Sequence, residues 1–292
     1  MNPLVHGNRS TFGQPEGLWT VLRGNKTLLA GVIIFLSLCL VTILAPVIAP
    51  HNPADQDLEA RFSPPSATYP LGTDQFGRCV LSRILYGGQV SLAIAVISTG
   101  ACVLIGILVG LYAGYYRKLD GILMRTTDVF LAFPSIVIAL PIVAIVGPTP
   151  LGIIIAIMIP GWAKFARVIR SSTLSVKTHG YVESAKAMGA TDTRILFKHI
   201  LPNCYGPIIE IATLGLGAKI ITITSLGFLG LGVQPPTPEW GTMINQGLTL
   251  LDKAPMIALS AGAMIVLFVL ATNLIGSELR TILDPRSETV AI

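Results

Sequence analysis

The sequence predicts an all-α polytopic membrane protein of six transmembrane helices with both termini in the cytoplasm. Three observations carry this fold class. The 292 residues are 52% hydrophobic and only 12% charged, where soluble proteins run near roughly 45–50% and about 25%. Four stretches, 28–49, 84–116, 129–163 and 254–277, contain no Asp, Glu, Lys or Arg, and each reaches the roughly 20 residues that cross a hydrocarbon core of about 30 Å. The basic residues, finally, collect on one side of these stretches.

The first span, 28–49, follows about 27 polar or mixed residues, so it reads as a retained anchor rather than a cleaved signal. Residues 50–89 hold too many prolines and charges to sit in lipid, where every backbone group must be paired internally. There His51-Asn52-Pro53 and Ser63-Pro64-Pro65 lead into Gly72-Thr73-Asp74 and then an amphipathic helix with Arg78, Ser82 and Arg83. This segment should form an outer cap. The second span, 90–115, carries Gly106, Gly110 and Gly114 at four-residue intervals, a stripe suited to close helix approach, within this chain or against a companion.

Residues 129–163 would make one helix of about 52 Å, too long for a single crossing. The expected break is Gly147-Pro148-Thr149-Pro150, where prolines remove donors and glycine permits a turn, giving spans 129–147 and 151–170. Spans 206–231 and 256–277 complete the set. Between them Val233-Gln234-Pro235-Pro236-Thr237-Pro238-Glu239-Trp240-Gly241 opens a second cap segment. The chain thus divides into a cytoplasmic segment 1–27, a first helix with its external segment 28–89, a five-helix core 90–280 with a cytoplasmic loop 171–203 and an external loop 233–255, and a cytoplasmic tail 281–292.

The net charge of +5 records topology rather than a nucleic-acid surface. With the N-terminus inside, fifteen of the 20 basic residues face the cytoplasm, from Arg9, Arg23 and Lys26 to Arg280 and Arg286, seven of them between Lys164 and Lys198. Only Arg61, Arg78, Arg83 and Lys253 lie outside, and Lys219 alone lies within a span. The positive-inside rule sets this orientation.

Catalytic chemistry finds no footing. Cys39, Cys79, Cys102 and Cys204 share no ligand or disulfide spacing, and His6, His51, His179 and His199 are scattered, so no metal site is expected. No nucleophile-and-base set can be assembled from the spans. No lysine follows a glycine, so the chain has no phosphate-binding loop. Lys219 is a candidate pathway residue, because a mid-span cation faces a polar cavity or a partner. Glu210, nine residues away, is too distant for an i,i+4 pair, leaving a pair across a bend or an acid on another subunit as the structural alternative. A self-contained secondary transporter, the rival reading, should show paired broken helices or intramembrane coupling acids.

The cytoplasmic loop is the most informative segment. Tyr181, Ala185 and Met188 share one helical face by their four- and three-residue spacing, Gly189 can end that helix in a left-handed turn, and Thr191 or Asp192 can cap a second helix to Ile200. Pro202 should separate this unit from the next span. Such a helix is suited to insertion into a groove on another protein.

Tyr181-Val182-Glu183-Ser184-Ala185, then Gly189 and Leu201-Pro202, resemble the EAA loop of permease subunits in binding-protein-dependent ABC importers. Leu71-Gly72-Thr73-Asp74, Gly77-Arg78, Ser82-Arg83, Gly88 and Ser91-Leu92 resemble the outer segment of dipeptide, oligopeptide and nickel permeases, as do Arg125, Asp128 and Pro134, the Phe228-Leu229-Gly230-Leu231-Gly232 to Gly241 stretch, and Leu283-Asp284-Pro285. The resemblance covers roughly residues 20–286 and is to the C-type permease of the peptide/nickel group. Ser184, His199, Cys79, Gln89, Ser277 and Thr281 depart from the residues usual there.

The resemblance implies a type I ABC importer permease fold in the bacterial cytoplasmic (inner) membrane. It also implies a second homologous permease, two ATP-binding cytoplasmic subunits and an external substrate-binding protein as partners beside the lipid bilayer. No cofactor is expected on this chain, with ATP and Mg on the ATPase subunits. It makes Tyr181, Glu183, Ala185, Met188 and Gly189 the ATPase-coupling loop, and Asp74, Arg78, Arg83, Glu239 and Trp240 an external-face segment. The expected cargo is a peptide, with nickel or a metal chelate as the alternative.

Overall fold

The computed structural model describes residues 25–283. Arg9, Arg23, Arg286, His6 and Asp284-Pro285 lie outside these. Helix α1, Lys26–Ile43, is capped by Asn25, whose carboxamide accepts from the amides of Thr27 and Leu28 and donates to Glu278 at 2.6 Å. That last contact ties the first helix to the last. A short α2, Ala45–Ile48, follows. Gly31 lets α1 lie against α10, Met256–Leu283, since a Cβ there would stand 2.9 Å from Leu274 Cβ.

Helix α3, Val80–Tyr115, is 36 residues long, about 54 Å at roughly 1.5 Å per residue. It begins ten residues before the expected start at 90 and absorbs the amphipathic helix expected outside the membrane. The reason is electrostatic: Arg83, the one charge within the added turns, is turned inward onto Asp74 and Gln246, so the helix runs on through it inside the protein. The glycine stripe of α3 packs inside this chain. Gly106 abuts Phe165, a Cβ at Gly110 would lie 2.7 Å from the Ala166 carbonyl and 2.8 Å from Ile169 Cβ, and one at Gly114 would lie 2.6 Å from Thr173. All four partners belong to α6, Pro150–Lys177. Matching periods on two helices bring the backbones together, which side chains at those positions would forbid.

The expected span 129–147 is replaced by two helices, α4 at Arg117–Ala132 and α5 at Ser135–Val146, bent by 86°. Pro134 causes the break: it forces Phe133 into extended backbone, at φ −110° and ψ 145°, because the proline ring excludes the helical region for the residue before it. Asp120 receives both Nε and Nη2 of Arg170 at 2.5 and 2.6 Å, and Asp128 pairs with Arg167, so α4 is fastened along α6. The turn at 147–150 falls where expected, with Gly147 at φ +102° and Thr149 capping α6 ahead of Pro150. Helix α6 runs on to Lys177, seven residues beyond its expected end.

Helix α7, Gly180–Ala187, precedes a continuous helical run, α8, Asp192–Phe228. Pro202 therefore does not divide loop from span. A π-turn over Ile195–Ile200 and a 3-10 turn over Leu201–Cys204 absorb it, shifting the hydrogen-bond register where proline offers no donor. Finally α9, Trp240–Leu248, folds back between α3, α8 and α10. Two apolar cores result, one around Ile84, Ile153, Ile223 and Trp240, the other around Tyr115, Ile169, Ile195 and Cys204. Outward-facing Ile33, Leu36, Leu40, Val96, Leu104 and Val266 stay exposed, as a lipid-facing band requires.

Candidate functional site

The loop between α6 and α8 is built by its end caps. Gly189 adopts φ +82°, and its amide donates to the Lys186 carbonyl at 3.0 Å while that of Ala190 donates to Ala185 at 3.1 Å. These are the two bonds of a Schellman termination, which needs a residue free of a Cβ penalty. Thr191, not Asp192, is the cap of the next helix, accepting from the Arg194 amide. Asp192 is occupied differently: Tyr115 and Tyr116 donate their hydroxyls to its two oxygens at 2.6 and 3.0 Å. The far end of α3 is thereby clamped to the start of α8.

The expected face of Tyr181, Ala185 and Met188 is split. Val182 and Ala185 turn inward and are buried, whereas Tyr181, Glu183 and Met188 are exposed, Met188 at 82%. The short helix is anchored through Val182 on Ile195 and Leu196, and Ala185 is buried beside that anchor instead of facing an outside groove. Beside it lies a cavity of about 490 Å³ bounded by Tyr115, Lys177, Glu183 and Lys186. Lys177 donates to the Tyr115 carbonyl at 2.6 Å.

At the opposite end of the bundle Asp74, Arg78 and Arg83 form one buried cluster. Asp74 Oδ2 accepts from Arg78 Nε at 2.7 Å and from Arg83, while its Oδ1 accepts the amides of Phe76 and Arg78. Arg83 reaches on to Gln246 of α9 at 3.1 Å. Glu239 caps α9, accepting from Gly241 N at 2.7 Å, Thr242 N at 2.9 Å and Ser91 Oγ at 3.1 Å. Burial pushes its carboxyl up, against these donors, which favour the charged form. Trp240 is wholly buried and donates to the Ile84 carbonyl at 3.0 Å, in a slot left by Gly87 and Gly88. These residues are thus the interior of the cap. They hold α9 against α3 and present no outward face themselves.

Lys219 and Glu210 are not brought together. Glu210 stands 3.7 Å from Arg280, whereas Lys219, 9% exposed, donates to the Ile157 carbonyl at 3.3 Å and borders a cavity of about 210 Å³ between α6 and α8. Among the described residues no three His, Cys, Asp or Glu side chains gather as a metal site. The tyrosine clamp on Asp192 and the Gln246 contact have no signal in the sequence, because their partners lie far apart along the chain.

Residues 103–289 match the family described as binding-protein-dependent transport system inner membrane component, and residues 17–65 match the N-terminal transmembrane domain of oligopeptide transport permease C. The dipeptide transport system permease protein of Alkalihalophilus pseudofirmus is 42% identical over 92% of this chain and 88% of its own. The di/tripeptide transport permease of Pseudomonas aeruginosa is 39% identical over 94% and 92%, and the glutathione transport permease of Pectobacterium atrosepticum 41% over 91% and 88%. In fold, the chain is similar to a chain of the MetNI methionine ABC transporter in an inward-facing conformation, with a TM-score of 0.58 at 21% identity, covering 69% of this chain and 96% of that one.

Proposed function

The chain belongs to the family of binding-protein-dependent transport system inner membrane components, and from that premise we propose that it is the membrane-spanning permease subunit of an ATP-driven importer of peptides. The substrate is delivered by an external binding protein. A second homologous permease completes the pathway, and two cytoplasmic ATPase subunits, carrying ATP and Mg, drive it. Both termini and the 178–191 loop lie in the cytoplasm, as the basic residues indicate. Relatives named for dipeptides, di/tripeptides and glutathione support a peptide over nickel.

The observation that carries this reading is the construction of α7. Its inner face, Val182 and Ala185, is fixed on the protein's own core, while Tyr181, Glu183 and Met188 stand free for another surface. A motion imposed there passes directly to α8 and, through the Asp192 clamp, to α3. Closure of the ATPases then biases the permease pair between inward and outward openings by the difference in contacts made in each. The chain's own residues bind and move; hydrolysis belongs to the partners.

The test is uptake in a bacterial strain deleted for this gene, across dipeptides, tripeptides, glutathione and nickel, with purification of the tagged chain. Restored peptide uptake and co-purifying ATPase subunits are expected. Uptake of nickel alone, or transport by the purified chain without ATPases, would overturn the proposal.

A further inference from the structure

We infer that Lys219 is the cation that receives the carboxylate of the transported solute within the membrane, an inference that rests on the peptide-importer reading above. Its ammonium has three donors, of which one goes to the Ile157 carbonyl and another faces the neutral Cys102 thiol, which leaves its charge uncompensated. Among the described residues no carboxylate pairs with it: Glu210 is taken by Arg280, and Asp74, Asp120 and Asp128 by other arginines. Intramembrane cations face the bundle interior or a water-filled cavity and mark substrate or ion pathways.

The surroundings supply that access. The ammonium lies in a space left by Gly161, where any Cβ would collide with it and stand 2.7 Å from Cys102 Sγ. The cavity it borders, about 210 Å³, far exceeds the roughly 10–15 Å³ that holds one water. Lys164, Ser135 and Thr222 border it too, adding a second basic residue and the Ser135 hydroxyl, while the Thr222 hydroxyl donates to the Ala218 carbonyl. Ser135 opens α5 directly after the 86° break, with no side-chain cap on that helix, so the positive end of a helix dipole adds to the same field. Two ammoniums and an uncapped helix start favour a carboxylate and disfavour a second cation.

The experiment compares wild type, Lys219→Met and Lys219→Arg in the assembled transporter, measuring uptake of a dipeptide and of its C-terminal amide per unit of complex. Lys219→Met should lower uptake of the acid by about tenfold, the loss of one charge-assisted hydrogen bond, and should leave the amide within about twofold, while Lys219→Arg retains most acid uptake. In a Cys102→Ser background, Lys219→Cys should react with a water-soluble anionic thiol reagent, and saturating dipeptide should slow that reaction. Equal losses for acid and amide, or a thiol at 219 that dipeptide does not protect, would overturn the inference; equal losses together with a reduced yield of complex would assign the cation to an acid of the companion permease. Wild-type uptake of neither peptide would instead overturn the importer reading and this inference with it.

Discussion

Replacing Gly189 isolates the contribution of one backbone turn. A Cβ there would meet no heavy atom within 4 Å, so a substitution cannot act through a clash. What remains is the φ of +82°, which costs an L-residue roughly 1–2 kcal/mol in the left-handed region and more when the side chain is β-branched. Such a cost shifts a local equilibrium by a factor of about 5–30. It falls on α7, whose 8 residues are fewer than the about 12–15 that hold a helix in isolation, so the Schellman end and the Val182–Ala185 anchor are what keep it formed. Gly189→Val should therefore leave the transporter assembled while lowering peptide uptake and substrate-stimulated ATP hydrolysis about 5–30-fold. Gly189→Ala should be milder, and Gly189→Asn milder still, because asparagine enters this region more readily. The assay is ATP hydrolysis by reconstituted complex with and without loaded binding protein, alongside uptake. Undiminished stimulation in Gly189→Val would refute the reasoning, and equal losses in all three variants would show that backbone strain is not the cause.

Three further outcomes are expected. A thiol introduced at Thr191 should be labelled only from the cytoplasm and one at Asp57 only from outside; the reverse pattern at both sites would invert the topology. Gly110→Leu should cost at least about 1–3 kcal/mol by overpacking α3 against α6 and deplete assembled protein, whereas Gly100→Leu on the same helix, where a Cβ meets nothing within 4 Å, should accumulate normally; equal yields would place the stripe's packing elsewhere. Asp192→Asn should weaken the tyrosine clamp and make the 178–191 loop more protease-sensitive, with Tyr115→Phe adding little to it; full additivity would mean that the two residues act independently.

Hydrophobic runs and charge placement made most of the helices legible, and Gly189 was readable because a glycine after an apolar-periodic segment has one common backbone use. The boundaries that escaped did so for identifiable reasons. Arg78 and Arg83 helped to keep residues 50–89 apart from the second span, because the acid that holds both, Asp74, is visible as their partner only once the chain folds. Pro134 lay inside an uncharged run where the more conspicuous pair at 148 and 150 already explained the excess length. Pro202 looked like a divider, yet a π-turn keeps the helix continuous around it. Ala185 fitted an outward stripe by spacing alone, since periodicity shows which residues share a face and not which face is inward. The Tyr115–Asp192 clamp joins residues that no local pattern connects.

These particulars meet in α8. Its 37 residues extend about 55 Å, and along that length it carries the clamped Asp192, the cavity-facing Lys219 and Gly227, where a Cβ would stand 2.7 Å from Gly241 of the capping helix. The start of the helix that follows the 178–191 loop, the buried Lys219 and the seat of α9 therefore hang on one element rather than three. Packed helices move as units with small slides rather than by continuous deformation, so Lys219 and Gly227, both on the regular Tyr205–Phe228 stretch, move together, whereas a displacement at the loop end must first cross irregular turns. The irregular stretch, the π-turn over Ile195–Ile200 and the 3-10 turn over Leu201–Cys204, lies between Asp192 and that regular helix, and a mid-helix 3-10 stretch of this kind marks a hinge. The irregular turns thus fall on the loop side of the helix, and the part that carries Lys219 and abuts α9 is regular α-helix throughout.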